Sequence, residues 1–308
     1  MSSTKLGLLF CVLFVTLEAF QAVYLGSVFQ AIDSFLVGAW VFGISVIGTV
    51  VVTLVFHAHQ LATSCREWRL IVALNIYAAI TWSTYFGAVQ IIEPAVLFTI
   101  FSGMVPIGTA IAAFYGMKEA LAPKRIATRI GNGLILLSIV WLCASTIAGM
   151  SGFVRGGTWT AFLGVALSVL SGGCTSLVIL YSARLNARGV GPLAQFGLRF
   201  VLYTALAVVA VFVGVDEKRE APTWEALWPV VLVGLAVIAL PLYLVQKAVP
   251  LIPASTIAAM TALGPVFVFA MQVFEGRVDY APATLLGIIV FLLGALIAVW
   301  GATRTQTT

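Results

Sequence analysis

The chain has 308 residues, of which 62% are hydrophobic and 9% charged, with a formal net charge of +5. A water-soluble domain carries about 25% charged residues, so a mean hydropathy of +1.12 excludes an ordinary soluble fold and leaves a polytopic membrane protein. The positive balance belongs to loops beside a lipid bilayer, and no nucleic-acid partner is expected.

A spanning helix needs about 20 largely apolar residues. Cutting the chain at charges and Pro/Gly clusters predicts ten spans, at 6–30, 35–56, 70–90, 94–117, 129–149, 158–182, 193–214, 225–246, 252–274 and 282–302. The first opens like a signal peptide, with Lys5 before the apolar run Leu6 to Leu17. It resumes past Glu18 to Phe29, without a small-residue cleavage site, and reads as a span. Glu18 lies ~18 Å along this helix from Leu6, near the middle of a ~30 Å hydrocarbon core. An ionised residue there costs ~2.5–3.5 kcal/mol to insert, so it should face the bundle or a water-filled cavity. Burial favours its neutral form, and a carboxyl poised between two states can trade a proton for a substrate cation. Gln21 follows at i+3 on the face shared by Phe14, Glu18 and Leu25. The alternative is a structural acid, paired with Arg199 or hydrogen-bonded to a neighbouring helix.

The tetrapeptide "AIDS" joins the first two spans, too short for any domain outside the membrane. His57 and His59 close the second span without a third metal ligand, so no metal is expected. The third span places Asn75, Trp82 and Phe86 on one face, at offsets of 7 and 11. Trp82 and Phe86 can form a wall for a planar or cationic substrate; ordinary packing is the alternative. The fourth span offers Phe98, Phe101 and Pro106, and the ninth Met260, Phe267 and Pro265. Each proline frees a carbonyl near mid-membrane, either for hinge-like gating or for a static kink. Arg199 sits ~9 Å into the seventh span, where it either snorkels to the interface or meets an anionic substrate group. The other acids (Asp33, Glu67, Glu93, Glu119, Glu275, Asp279) read as interfacial. In the tenth span Ala283, Gly287, Gly294 and Ala298 form a small-residue stripe, for an internal or a homodimer contact. The four cysteines are scattered, without a C-x-x-C pair, and read as apolar filler.

With a cytoplasmic N-terminus, eleven of the sixteen Lys and Arg residues lie inside and four outside (Arg155, Lys218, Arg219, Arg277), Arg199 lying within a span. This asymmetry predicts both termini inside. The chain also repeats. "EPAVLFTIFSGMVPIGTAIAAF" (93–114) compares with "IPASTIAAMTALGPVFVFAMQVF" (252–274): Pro94 and Pro106 are twelve apart, as are Pro253 and Pro265. Glu119 to Gly131 and Glu275 to Gly287 are again twelve each. Five spans per half is an odd number, so the second half is inverted. Such inverted repeats place a substrate site near the midplane between them. The predicted units are 1–150 and 158–302, with a short cytoplasmic tail at 303–308.

Ten spans in two halves, with the ordered Pro, Pro, Glu and Gly in each, resemble the drug/metabolite transporter superfamily, specifically its ten-helix EamA type. "RF" at 199–200 is similar to an arginine common in that family, whereas its "Trp-Gly-Ser" opening is replaced here by "TLEAFQAVY". Glu18, and "FTIFSG" at 98–103, resemble locally the small multidrug resistance family, whose first helix carries one embedded Glu. Glu18 has no counterpart in the second half, where "VLSGGCTSLVILY" stands instead.

There is no H-E-x-x-H, G-x-S-x-G or Walker A loop. No enzyme activity and no cofactor are expected, and energy comes from an ion gradient, exchange or downhill flow. The expectation is a secondary transporter of small organic metabolites or drugs in a plasma membrane, bacterial inner membrane foremost. It works by alternating access, as a proton-coupled exporter. The alternatives are an uncoupled or exchange carrier of an amino acid or other zwitterionic or anionic metabolite, and a non-transporting membrane protein. The expected site is Glu18, Gln21, Asn75, Trp82, Phe86, Phe101, Arg199, Met260 and Phe267, with Pro106 and Pro265 as hinges.

Overall fold

A computed structural model describes residues 3–120, 125–215, 222–248, 251–252 and 254–303. Pro253 of the repeat, Lys124, Lys218, Arg219 and Arg304 of the charge count, and the tail beyond 303 lie outside the described residues.

The described residues form twelve helical segments, with one isolated antiparallel bridge, Ile92 to Val154, and no strands. They are α1 (Ser3–Val28), α2 (Ser34–Arg66), α3 (Trp68–Ile91), α4 (Pro94–Phe114), α5 (Ile126–Ile147), α6 (Thr158–Ala187), α7 (Pro192–Leu198), α8 (Val201–Val213), α9 (Trp224–Ala248), α10 (Ala254–Thr261), α11 (Gly264–Glu275) and α12 (Pro282–Thr303). Among the described residues eight stretches are long and apolar enough to cross a membrane: α1 to α6, Pro192–Val213 and Pro282–Ala302. Phe212 and Phe274 are 87% and 90% exposed. So much apolar surface would be untenable in water and is natural against lipid. The chain is an all-α, multi-pass membrane protein.

Local chemistry sets the helix ends. Asp33 Oδ1 accepts from the backbone N–H of Phe35 (2.6 Å) and Leu36 (3.2 Å), capping α2 and turning the "AIDS" hairpin. Pro94 opens α4 at its first turn, where a missing N–H costs nothing. The backbone of α2 leaves helical geometry at His57 (φ −143°, ψ 41°), near the predicted end of the second span, then resumes as helix to Arg66. Pro265 stands in the first turn of α11, immediately after a break that divides the predicted ninth span. Pro106 behaves differently: α4 runs through it without a break. A further break, between α7 and α8, occurs at Arg199 and Phe200 without a proline.

Helices distant in sequence pack together. α5 lies along α12, α3 and α4 along α6, α1 along α9 and α11, and α2 along α7 and α8. The small-residue stripe serves the first of these contacts, inside the chain. A methyl on Gly131 would meet backbone atoms of Gly294 and Ala298, and one on Gly287 would meet Leu142. Ser138 donates to Gly287 O (2.7 Å) and Trp141 Nε1 to Ala283 O (2.9 Å) across the same seam.

Candidate functional site

A cavity of about 540 Å³ lies among α1, α3, α4, α5, α6, α9 and α12 and the two helix breaks. Phe14, Glu18 and Gln21 enter it from α1, one turn apart, as the helical face requires. Trp82 and Thr81 come from α3; Phe98, Phe101, Ser102 and Pro106 from α4; Thr175 from α6; Pro241 from α9; and Phe291 from α12. Arg199 and Phe200 line it from the α7–α8 break, and Thr261 and Ala262 from the α10–α11 break. Most of the wall is aromatic or aliphatic, with few polar groups, the usual make-up of a small-molecule site.

The two ionisable residues among the described residues of this wall have no partner there. Among the described residues neither Glu18 nor Gln21 has a hydrogen-bonding or ion-pairing partner, and no ion pair joins Glu18 to Arg199. The structural alternative of a Glu18–Arg199 pair is therefore not realised. Tyr85 is within electrostatic reach of Glu18. The Arg199 guanidinium lies over the rings of Phe196 (5.1 Å) and Phe200 (4.6 Å), and its Nε is shielded without an acceptor.

Six of the expected residues share the cavity: Glu18, Gln21, Trp82, Phe101, Arg199 and Pro106. The others lie elsewhere. Asn75 clamps the α7–α8 break: its Nδ2 donates to Leu198 O (2.8 Å) and Ile71 O (2.9 Å), and its Oδ1 accepts from Leu202 N–H (3.0 Å). An interrupted helix strands backbone groups, and this side chain satisfies two of them. Phe86 is buried in an aromatic cluster, with ring centroids 4.9 Å from Phe29 and 5.3 Å from Trp82. Met260 packs against Cys11, Ala248 and Ile252, and Phe267 against Phe14, Val15 and Leu244. The break at Ala262 and Leu263 resets the helical phase, so Thr261 and Ala262 reach the cavity in their place. Pro265 stands beside that break and does not line the cavity.

Several lining residues were missed in the sequence. Thr81 and Thr175 belong to a hydroxyl seam between α3 and α6. In it Ser171 Oγ donates to Thr81 O (2.9 Å) and Thr175 Oγ1 to Ser171 O (2.9 Å). Their signal was three hydroxyl residues in apolar runs. Pro241, in the middle of the eighth predicted span, was visible in the same way.

Glu93 corrects an expectation. It was read as interfacial, yet it is fully buried. Its Oε2 accepts from Thr284 Oγ1 (2.7 Å) and Gly152 N–H (2.8 Å), and its Oε1 from Gln272 Nε2. Gln272 Oε1 in turn accepts from Ala95 N–H (3.0 Å), so one carboxylate ties α4, α11, α12 and the loop after α5. Two further acids pair with α6: Glu119 with Arg184 (2.6 Å, both oxygens engaged) and Glu67 with Arg188. Among the described residues no cluster of His, Cys, Asp or Glu is suited to a metal.

No family model and no curated protein matches the chain. A solved crystal structure of a protein matches it over 99% of this chain and 98% of its own, with a TM-score of 0.62 and 18% sequence identity. At that identity the likeness shows the fold alone.

Proposed function

We propose that the chain is a secondary transporter of small organic metabolites or drugs, a proton-coupled exporter working by alternating access, and not an enzyme. The observation that carries this reading is a carboxyl, Glu18, without a partner among the described residues, on the wall of a largely apolar cavity inside a membrane protein. Embedded acids without a structural partner mark ion and substrate paths.

Counting α7 with α8 and α10 with α11 gives ten spans, arranged as two inverted sets of five with both termini cytoplasmic. The packing supports this arrangement. Exchanging each helix of the first five with its equivalent in the second turns α3 on α6 into α9 on α1, and α4 on α6 into α11 on α1. The contacts of α5 with α12, α2 with α7 and α8, and α4 with α11 exchange into themselves. A pseudo-two-fold axis of this kind suits rocking of one half against the other. In the cycle, deprotonated Glu18 accepts substrate from the cytoplasm, and its protonation releases substrate outside.

The test begins with a thermal-stabilisation screen for a ligand. Flux of that ligand is then driven by an imposed pH gradient in proteoliposomes. Glu18→Gln is expected to abolish the gradient-driven component; unchanged flux refutes proton coupling. A second reading is an uncoupled or exchange carrier of an amino acid or other zwitterionic or anionic metabolite, favoured by the unpaired Arg199 on the same wall. Flux that ignores pH but collapses in Arg199→Gln selects it.

A further inference from the structure

We infer that the α7–α8 break is a binding station for the carboxylate of an organic monoanion, held by Arg199, with the apolar body of that molecule lying in the main cavity. The inference rests on the transporter reading for its purpose, but its test does not depend on transport.

Three observations converge. The first is the state of Arg199. A half-buried guanidinium enclosed within a membrane protein ordinarily has a carboxylate or carbonyl partner, because an uncompensated charge in a low-dielectric site is costly. Here its contacts are two ring faces, and Nε has no acceptor. Phe196 and Phe200 hold the planar group in place while leaving its N–H edge unused, a preorganised fork for two parallel hydrogen bonds to an oxyanion. The second is the break itself. Phe200, the residue before α8, makes no side-chain cap hydrogen bond, and Asn75 Oδ1 accepts from one first-turn N–H, that of Leu202, so the N-terminal dipole of a 13-residue helix, satisfied in part, adds positive potential beside Arg199. Asn75 fixes the interruption from α3 through the hydrogen bonds described above, so the station is built into the fold.

The third observation is position. Arg199 lines the main cavity and also a second one of about 260 Å³, bounded by Ser182, Ala183, Asn186, Pro192, Gln195 and Phe196. It is common to the walls of both. The smaller cavity lies beside the α6–α7 turn, so the guanidinium is offered to both sides of the α7–α8 break.

The residues also select the charge. Among the described residues Arg199 is the one basic residue lining the main cavity. It balances a single negative charge, whereas a phosphate dianion would leave a charge uncompensated in a dry site. The remaining wall (Trp82, Phe98, Phe101, Phe200, Phe291) suits an aromatic or branched apolar body. Glu18, on α1 in the same wall, is left to take a proton.

The test uses the detergent-solubilised full chain and three probes at millimolar concentration: 3-phenylpropionate, its primary amide and phenyl phosphate. The carboxylate is expected to raise the unfolding temperature in a concentration-dependent way, and the amide and phosphate to raise it far less. Arg199→Gln should remove the effect, and Arg199→Lys, which keeps the charge but loses the fork, should restore part of it. Without ligand, Arg199→Gln should unfold no earlier than the parent, because an unpaired, half-buried charge has been removed. Equal stabilisation by the amide, or stabilisation that survives in Arg199→Gln, overturns the inference. So does a parent protein indifferent to the carboxylate. Carboxylate binding that persists when Glu18→Gln leaves gradient-driven flux unchanged means that proton exchange alone has failed.

Discussion

Replacing Glu93 by alanine removes an acceptor from three donors at once: Gln272 Nε2, Thr284 Oγ1 and Gly152 N–H. Thr284 and Gln272 are fully buried, so their donors have no bulk water to turn to. A buried donor left unsatisfied costs ~1–3 kcal/mol. Three of them set an upper bound of about 9 kcal/mol, and water entering the vacated space recovers part of it. A loss of about 3–5 kcal/mol is expected, at the high end for a single substitution. At ~2–4 °C per kcal/mol this is a fall of roughly 6–20 °C in unfolding temperature. Glu93→Gln keeps one acceptor oxygen and should fall in between. Heating with a thiol-reactive dye measures it, since Cys11 and Cys174 are buried and react on unfolding; exposed Cys65 is first replaced by Ser. If Glu93→Ala unfolds within ~2 °C of its parent, the network does not carry the stability that its geometry implies.

Asn75→Leu is close in volume but leaves Leu198 O and Leu202 N–H at the α7–α8 break without their partner. We expect a loss of about 2–4 kcal/mol, together with weaker stabilisation by the carboxylate probe as Arg199 loses its fixed position; a substitution that alters neither removes the clamp role. The Glu119 carboxyl is held down at about 2 by its hydrogen bonds to Arg184, below its ordinary value of 4.5. Its contribution is thus fully present above pH 4.5 and is lost as the pH falls towards 2. The contact is partly exposed, so its effect is small and screened by salt. The difference in unfolding temperature between the parent and Glu119→Gln should be constant from pH 7 to about 5 and shrink below that; a difference already gone at pH 5 contradicts the pairing.

The membrane class, eight of the spans and the face of α1 bearing Phe14, Glu18 and Gln21 were legible in the sequence, because each depends on local composition and on the 3.6-residue period. The break before Pro265 was legible for a similar reason, since a missing N–H acts on its own helix. Partners distant in the chain were not legible. Glu93 looked like any acid at a helix end until packing brought Gln272 and Thr284, 179 and 191 residues away, to its two oxygens. Asn75 shared a face with Trp82 in the sequence, but a break in a helix more than a hundred residues on claimed its amide. That break carries no proline, so local rules gave no sign of it. Composition and periodicity decide which segments enter the membrane and which face turns inward. Only tertiary packing decides which polar groups on that face are satisfied by neighbours. Glu18 and Arg199 are left over on the cavity wall because, among the described residues, no other helix brings a partner to either.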